Sequence, residues 1–144
     1  MIYEIWLTTK GGGFSENIYD LTDKKDEHIV LEPHLRSVIN EPGSFTFTLP
    51  PGNVGYEQIQ IRTSTIDVVE NGTIIWTGRP IEFKYDFQNN LAVTCEGALG
   101  YLKDAVLPRV VYQKVSLHQF FLAILDGYNR AVDAPEQRKL YLGE

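Results

Sequence analysis

The residues in this chain that could support chemistry are few. The three glycines at positions 11–13 could cradle a phosphate, but no Gly-Lys-Ser/Thr follows them, so we predict a surface loop. Asp20, Asp23 and Asp26 could bind calcium, yet they lack the alternate-residue spacing of an EF-hand and a glycine at the bend. A solvated loop is therefore the favoured interpretation of this acidic stretch.

The histidines and the single cysteine give no stronger pattern. His28 and His34 flank a short apolar run with no third ligand nearby in sequence, which argues against a zinc site. His118 falls on the polar side of a predicted helix, where we expect it to be exposed. Cys95 could be a nucleophile, but it lies on the inward row of a predicted strand, where cysteine packs as a small hydrophobic residue.

Two further patterns leave the function open. Asn71-Gly72-Thr73 matches a glycosylation acceptor, but a tight turn already explains it. No Gly-x-Ser-x-Gly elbow occurs, whereas a pair of carboxylates for sugar hydrolysis stays possible because acids distant in sequence can meet in space. We predict no catalytic, cofactor-binding or metal-binding residues and no cofactor.

The composition is that of a folded protein. The chain has 144 residues, of which 43% are hydrophobic and 22% charged. Its net charge of −6 and the lack of a Lys/Arg run argue against sequence-specific nucleic-acid binding. One cysteine cannot form an internal disulfide, and no signal peptide or membrane span is predicted, since no apolar run approaches the roughly 18 residues that a span needs.

The elements that would position these residues are mainly strands. Apolar residues over 2–8 predict a first strand, and the Gly-, Asp- and Lys-rich residues 10–27 predict a long surface loop. A short strand is expected at Ile29–Leu31, while Leu35–Ile39 fits either a strand or a turn. Phe and Leu then alternate with polar side chains over 44–49, which predicts a half-buried strand.

Asn71-Gly72 predicts a hairpin between strands at 66–70 and 73–77, because both turn residues need a positive φ. We expect Gly78 to end the second of these strands. The predicted register pairs Val69 with Ile74, Val68 with Ile75, and Asp67 with Trp76.

A second hairpin is predicted from the alternation over 82–87 and 91–95. A three-residue loop, 88–90, would keep both apolar rows on one face, with an Asn in the left-handed conformation. This register pairs Phe87 with Leu91, Tyr85 with Val93, and Phe83 with Cys95.

From Glu96 the apolar period changes. One or two helical turns are predicted near 98–102, closed before Pro108. Ser116 and Gln119 match a capping box, which predicts a helix ending near residues 129–130. Its buried face is expected to hold Leu117, Phe120, Phe121, Ile124, Leu125 and Tyr128. If that face is buried, Phe120→Ala should cost about 3–5 kcal/mol.

The fold class that follows is mainly β with α: a barrel-like antiparallel sheet followed by one or two helices. We predict a β-domain at 1–100 and a helical segment at 101–144 that begins a second domain. Residues 133–138 are polar, and Leu140, Tyr141 and Leu142 predict the start of a strand. Because such a strand needs a partner beyond Glu144, the chain is expected to be a fragment.

Several stretches together resemble the opening region of phage tail hub proteins, over about two thirds of the chain. This family includes siphophage tail-associated lysozymes and prophage tail endopeptidases, and it is related to the hubs of contractile tails. The similar stretches are Glu41–Pro51 with Gly55-Tyr56, Ile66–Gly78, Ile81–Phe87, Val93–Gly97 with Tyr101–Asp104, and Ser116–Asn129 with Ala131-Val132.

The resemblance implies a β-barrel hub domain that forms a homotrimer in the virion tail, which is assembled in the cytoplasm of the bacterial host. Its expected partners are the tail tube, the distal tail protein and the tape measure protein, and the ring would help form the DNA channel.

We predict no enzymatic activity. The alternatives are a carbohydrate- or receptor-binding module, which would be favoured if Trp6 and Trp76 formed an exposed platform, and the non-catalytic start of a peptidoglycan-degrading tail enzyme. The candidate contacts are whichever of five aromatic residues are exposed, although any of them could belong to the core: Trp6, Phe14, Tyr19, Tyr56 and Trp76.

Overall fold

The computed structural model describes residues 2–22, 25–132 and 140–142, and the chain divides into two compact units, 1–97 and 98–144. The first unit is a seven-stranded sheet with two short 3-10 turns, Lys10–Gly12 and Asp26–His28. Its strands are β1 (Tyr3–Thr8), β2 (Ser15–Asp20), β3 (Leu31–Arg36), β4 (Ser44–Leu49), β5 (Thr65–Glu70), β6 (Thr73–Tyr85) and β7 (Leu91–Gly97). The second unit holds a 3-10 helix, Ala98–Asp104, and the helix α1, Leu117–Ala131.

The sheet follows the order β2-β1-β5-β6-β7-β4-β3, and each neighbouring pair is antiparallel. It curls into a half-barrel whose edges are β2 and β3. The predicted fold class, mainly β with an antiparallel sheet followed by helices, is confirmed.

The core lies on the inner face of the half-barrel. Strand residues alternate between the two faces of a sheet, so each strand contributes every second side chain to this core. Phe45 lies opposite Cys95, Phe47 opposite Val93, and Leu49 opposite Leu91, and all six side chains are buried. Burial of each large apolar side chain stabilises the fold by about 1.5–3 kcal/mol. The alternation predicted for β4 and β7 is therefore confirmed.

The prediction of a loop over residues 10–27 is wrong, because β2 lies inside it and pairs with β1. Ser15 and Glu16 are exposed, so the segment reads as polar, whereas Ile18 is completely buried in the core. The strand expected at Ile29–Leu31 also differs, since β3 begins at Leu31 and runs to Arg36. The pairing of β2 with β1 and of β3 with β4 decides where these two strands lie. The sequence alone shows only short apolar runs in both regions.

The Asn71-Gly72 hairpin is confirmed, with positive φ angles of 49° and 79° at its two turn residues. Val69 lies opposite Ile74, as predicted. The next two predicted pairs are wrong, because the register shifts after Val69 and leaves Ile75 as an extra residue. Val68 therefore faces Trp76, and such a bulge increases the local twist of the ladder.

The predicted break at Gly78 is wrong, since β6 continues through it to Tyr85. Pro80 is accommodated inside this long strand because the register against β7 shifts between Pro80 and Glu82. A bulge is one of the few places in a sheet that tolerates the missing N–H of proline.

The second hairpin has a five-residue loop, so the predicted three-residue loop and its pairs are wrong. Tyr85 lies opposite Leu91, and Phe83 lies opposite Val93. The Asp86 carboxylate accepts hydrogen bonds from the backbone amides of Gln88 (2.8 Å) and Asn90 (2.9 Å), which stabilises the longer loop. The change of two residues keeps Phe83 and Tyr85 opposite apolar residues of β7, although Tyr85 and Phe87 are exposed. Asn89 takes the expected left-handed conformation at φ 69°.

The helix α1 begins at the predicted capping box. The Ser116 hydroxyl accepts a hydrogen bond from the Gln119 amide (3.2 Å), and the Gln119 side chain accepts one from the Ser116 amide (3.0 Å). The predicted buried face is wrong in extent: only Tyr128 is fully buried, and Leu117 and Phe121 are exposed. Residues 133–139 lie outside the described residues, and residues 140–142 form no strand.

Candidate functional site

The side chain with the strongest potential for nucleophilic chemistry, Cys95, is completely buried on β7 between apolar neighbours. Burial raises the pKa of its thiol well above the usual value, because the thiolate would lose its solvation. The thiol is therefore protonated at neutral pH, and the prediction that Cys95 packs in the core is confirmed.

The acidic stretch beside β2 serves local structure. The Asp20 carboxylate accepts hydrogen bonds from the amide and the hydroxyl of Thr22, both at 2.7 Å. Asp26 begins a 3-10 turn, and Asp23 lies outside the described residues. Within the described part of the chain, no three His, Cys, Asp or Glu side chains are grouped so that they could hold a metal ion.

The glycines and histidines likewise sit in separate local structures. Gly11 and Gly12 have positive φ angles of 78° and 70° in a tight turn between β1 and β2. His34 lies in the edge strand β3 opposite Thr46, and His118 is exposed in the first turn of α1, as predicted. Among the helices that the structure describes, none combines the length and apolarity that a membrane crossing requires.

The first unit has an apolar hollow of about 380 Å³ on the inner face of the half-barrel. Its walls come from six strands, including both edges, so the curvature of the whole sheet creates it. We call it the hollow; it is lined by Tyr3, Ile5, Tyr19, Pro33, Leu35, Phe45, Val68 and Ile75. A mostly apolar lining of this size suits the insertion of hydrophobic side chains.

One carboxylate, that of Glu70, lies beside the hollow. Glu70 lies opposite Tyr3, and its carboxylate raises the pKa of that phenol chiefly by hydrogen bonding to it. Asp20 lies opposite Glu4 on β1, so its side chain belongs to the outer face of the sheet and does not face the hollow. The nearby cation Arg36 on β3 is paired with Glu41 at 3.0 Å, so its charge is locally balanced.

Both edges of the sheet are protected against further strand pairing. On β2, the carbonyl of Ile18 accepts a hydrogen bond from the Asn53 side chain (2.9 Å), which also donates to the carbonyl of Ile29 (2.8 Å) ahead of β3. On β3, Pro33 has no N–H, and Glu32 has a φ of 50°. Proline and irregular geometry are common ways to blunt a sheet edge, so contacts with other chains should use faces.

Asn53 was not singled out by the sequence, where it only follows the turn residues Pro50-Pro51-Gly52. Its side chain is 4% exposed and also accepts a hydrogen bond from the Gly55 amide (2.8 Å). Gly55 itself packs so closely that a Cβ there would lie 2.7 Å from Ile18. The segment after β4 therefore closes the gap between the two edges, and no local pattern reveals this.

The exposed platform of Trp6 and Trp76 that would favour a carbohydrate-binding module is not formed. Trp76 is only 8% exposed and packs against Phe45, with ring centroids 5.7 Å apart, so it belongs to the core. Trp6 lies on the outer face, where its indole N–H donates to the Glu4 carboxylate at 2.8 Å. The other predicted contacts, Phe14, Tyr19 and Tyr56, are half-buried.

The second unit presents an apolar segment. Residues 105–115 have no regular secondary structure, and Leu107, Pro108, Val110 and Tyr112 line a groove of about 550 Å³ together with residues of α1. The Tyr112 ring meets the edge of Phe120 with centroids 5.1 Å apart. Residues 105–115 are therefore held against α1 by the side chains that line this groove.

The comparisons with known proteins concern the fold. No family model and no curated protein matches the sequence. The chain is similar to the crystal structure of the 43 kDa tail protein of prophage MuSo2 from Shewanella oneidensis, with 15% identity and a TM-score of 0.50, over 88% of this chain and 38% of that one. A tail protein from Neisseria meningitidis MC58 is similar with 18% identity and a TM-score of 0.46, over 75% of this chain and 28% of that one. The chain thus spans well under half the length of either protein, and the likeness to the Shewanella protein shows a shared fold.

Proposed function

We propose that this chain is a non-enzymatic structural component of a bacteriophage or prophage tail. The observation that carries the proposal is the half-barrel with its apolar hollow, a fold shared with a protein described as a prophage tail protein. The sequence resemblance to tail hub proteins supports the same role independently of the fold. More finely, we propose a subunit of the tail-tip or baseplate hub, located in the virion tail after assembly in the host cytoplasm.

The proposed mechanism is mechanical. The chain docks to the tail tube or the distal tail protein, forms a homotrimeric ring and helps to line the DNA channel. The acidic composition supports a channel wall, because a net charge of −6 gives mild repulsion toward DNA instead of binding. Protected strand edges support docking through faces, which is compatible with a closed ring.

The roles of individual reactive groups support a structural function. The Cys95 thiol is inaccessible in the core, and Asp86 organises a hairpin loop through its hydrogen bonds. Asp67, on the outer face, accepts a hydrogen bond from the Thr77 hydroxyl at 2.6 Å. Each group therefore has a structural explanation that requires no substrate.

The direct test uses the phage or prophage whose genome encodes this chain. Purified tails are labelled with antibodies against the chain and viewed by immunogold electron microscopy, beside tails from a mutant with an early stop codon. We expect label at one tail end, and tails with a missing or incomplete tip in the mutant. Normal tails in the mutant, or no label on wild-type tails, would contradict the proposal.

Two binding and activity assays address the alternatives. The isolated chain is applied to a glycan array and to purified cell walls, with a Trp6→Ala variant beside it. It is also run in a peptidoglycan zymogram with lysozyme as the positive control. We expect neither binding nor clearing; glycan binding that Trp6→Ala abolishes would favour a receptor-binding module, and clearing would overturn the non-enzymatic assignment.

A further inference from the structure

The loop between β6 and β7, residues 86–90, displays a phenyl ring that the fold does not use. We call this loop the hairpin tip. Phe87 is 96% exposed and lies outside the hydrophobic core that the described residues form. Single exposed apolar side chains are common, so exposure alone indicates no function. The way in which the loop is built around Phe87 gives the stronger indication.

The hairpin tip is held in one conformation by its own hydrogen bonds. The Asp86 carboxylate accepts hydrogen bonds from the amides of Gln88 and Asn90 and from the Asn90 side chain, at 2.8–2.9 Å. The Asp86 amide donates to the carbonyl of Asn90, and the Asn89 amide donates to the carbonyl of Asp86, both at 3.1 Å. Phe87 is the single apolar residue of this loop. An aromatic ring on an ordered loop loses little conformational entropy on binding, as is typical of binding anchors.

Tyr56, in the segment after β4, fixes the hairpin tip to the rest of the first unit. Its hydroxyl donates a hydrogen bond to the carbonyl of Asn89 at 2.6 Å. Its ring meets that of Tyr85 edge-on, with centroids 6.5 Å apart. Burial raises the pKa of the Tyr56 phenol, and the nearby carboxylates of Asp86 and Glu57 raise it further. The hairpin tip is therefore both ordered and acidic.

The charges around Phe87 indicate the kind of surface that it fits. Asp86 and Glu57 both lie close to the Tyr56 hydroxyl at the hairpin tip. Lys84, the cation that precedes the tip along β6, is paired with Glu82 at 3.2 Å, so its charge is locally balanced. A complementary surface therefore combines an apolar pocket for the ring with Lys or Arg side chains for the carboxylates.

Two other partners fit these features less well. The hollow of a second copy is apolar, but the Glu70 carboxylate beside it would repel the acidic hairpin tip. A membrane would also receive the side chains of Gln88 and Asn89, which follow Phe87, and polar groups that enter lipid without partners carry a high cost. A protein pocket can supply hydrogen bonds and cations for the same groups.

We propose that Phe87 anchors this chain to a different tail protein, which presents an apolar pocket bordered by Lys or Arg side chains. This docking contact rests on the proposed function of the chain as a tail component and adds the surface that it uses. The hairpin tip joins the central strands β6 and β7, so the contact does not involve the blunted edges β2 and β3. Loss of an aromatic anchor commonly lowers affinity by about tenfold or more.

The test changes Phe87 in the phage or prophage gene that encodes the chain. Phe87→Asp removes the anchor and Phe87→Leu keeps an apolar side chain. Ile39→Asp is the matched control, because Ile39 is 89% exposed between β3 and β4. Circular dichroism of each purified chain checks folding, and quantitative immunoblots of purified tails measure incorporation. We expect Phe87→Asp to lower incorporation by about tenfold or more, while Phe87→Leu and Ile39→Asp stay close to wild type.

A charge variant tests the stated chemistry of the pocket. Glu57→Lys should lower incorporation less than Phe87→Asp does, because a cation then faces the Lys or Arg side chains of the partner. Higher incorporation of Glu57→Lys than of wild type would mean that the pocket is bordered by acids, and the proposal would fail.

The remaining outcomes separate this contact from the proposed function. Wild-type tails that do not contain the chain would contradict both. Wild-type tails that contain it, together with equal incorporation of folded Phe87→Asp or an equal loss in Ile39→Asp, would leave the tail role intact and overturn the anchor. Sedimentation velocity and phosphatidylcholine vesicles test the two other partners. Self-association or vesicle binding that Phe87→Asp abolishes would assign the hairpin tip to a second copy or to a membrane, and either result would overturn the proposal.

Discussion

Asn53 is the residue whose replacement should most clearly reveal how the half-barrel is closed. Its amide nitrogen donates to the carbonyls of Ile18 and Ile29, and its side-chain oxygen accepts from the Gly55 amide. Leucine has the same branching pattern but no polar atoms in its side chain, so Asn53→Leu removes the side-chain partner of all three backbone groups. Its larger methyl groups add some strain in the same direction as the lost hydrogen bonds.

The magnitude follows from the burial of these groups. The bonds to Ile18 and Gly55 are buried and the bond to Ile29 is partly buried. Each buried polar group that loses its partner costs about 1–3 kcal/mol, so Asn53→Leu should lower the free energy of unfolding by roughly 3–5 kcal/mol. This is a large share of the roughly 5–15 kcal/mol that stabilises a typical domain.

The assay is equilibrium urea unfolding followed by tryptophan fluorescence. Both tryptophans, Trp6 and Trp76, lie in the first unit, so the signal reports that unit alone. Asn90→Ala is the control, because its side-chain hydrogen bond to Asp86 is exposed and should contribute less than about 1 kcal/mol. A loss below about 1 kcal/mol for Asn53→Leu, or one no larger than the control, would refute the reasoning.

Three further outcomes are expected. Gly78→Ala should prevent stable folding of the first unit, since a Cβ there would lie 2.2 Å from an indole carbon and 2.3 Å from a backbone oxygen; Gly52→Ala, with no atom within 4 Å, should leave the thermal midpoint unchanged. Burial raises the pKa of the Asp67 carboxyl in the folded state, so the protonated carboxyl stabilises the fold. This stabilisation is fully present below the pKa that Asp67 has in the unfolded state, and it is lost as pH rises through the pKa of the folded state. Asp67→Asn should therefore gain stability relative to wild type between acidic and neutral pH in urea titrations, and a constant difference would contradict this. In the second unit, Tyr128→Ala should lower the thermal midpoint of helix unfolding by circular dichroism more than Phe120→Ala, because Tyr128 is buried and Phe120 only half-buried; an equal effect would count against the observed packing.

Elements with a short-range chemical cause could be predicted from the sequence. The Asn71-Gly72 turn needs only two residues that tolerate a positive φ, and both adopt it. The capping box of Ser116 and Gln119 joins groups three residues apart, so it forms as the pattern indicates. The inward rows of β4 and β7 follow from strand alternation, which is fixed by backbone geometry.

Register and loop length were predicted less well because they depend on partners distant in sequence. The bulges at Ile75 and before Glu82 adjust β6 to two different neighbours, and no local rule requires them. The polar residues Ser15 and Glu16 predict a loop where β2 lies, and only the pairing of this segment with β1 makes it a strand. The periodicity of apolar residues correctly predicts that α1 is amphipathic, but it cannot tell whether another element covers the apolar face of the helix.

The sequence by itself determined a β-rich chain with two hairpins, a capped helix and a core cysteine, because turns, caps and alternation act over a few residues. Only the tertiary structure decided where the half-barrel closes, how the hollow forms and which carboxylate lies beside it. Those features join Asn53, Tyr3 and Glu70 to groups far along the chain, and the energy of such contacts depends on positions that folding alone creates.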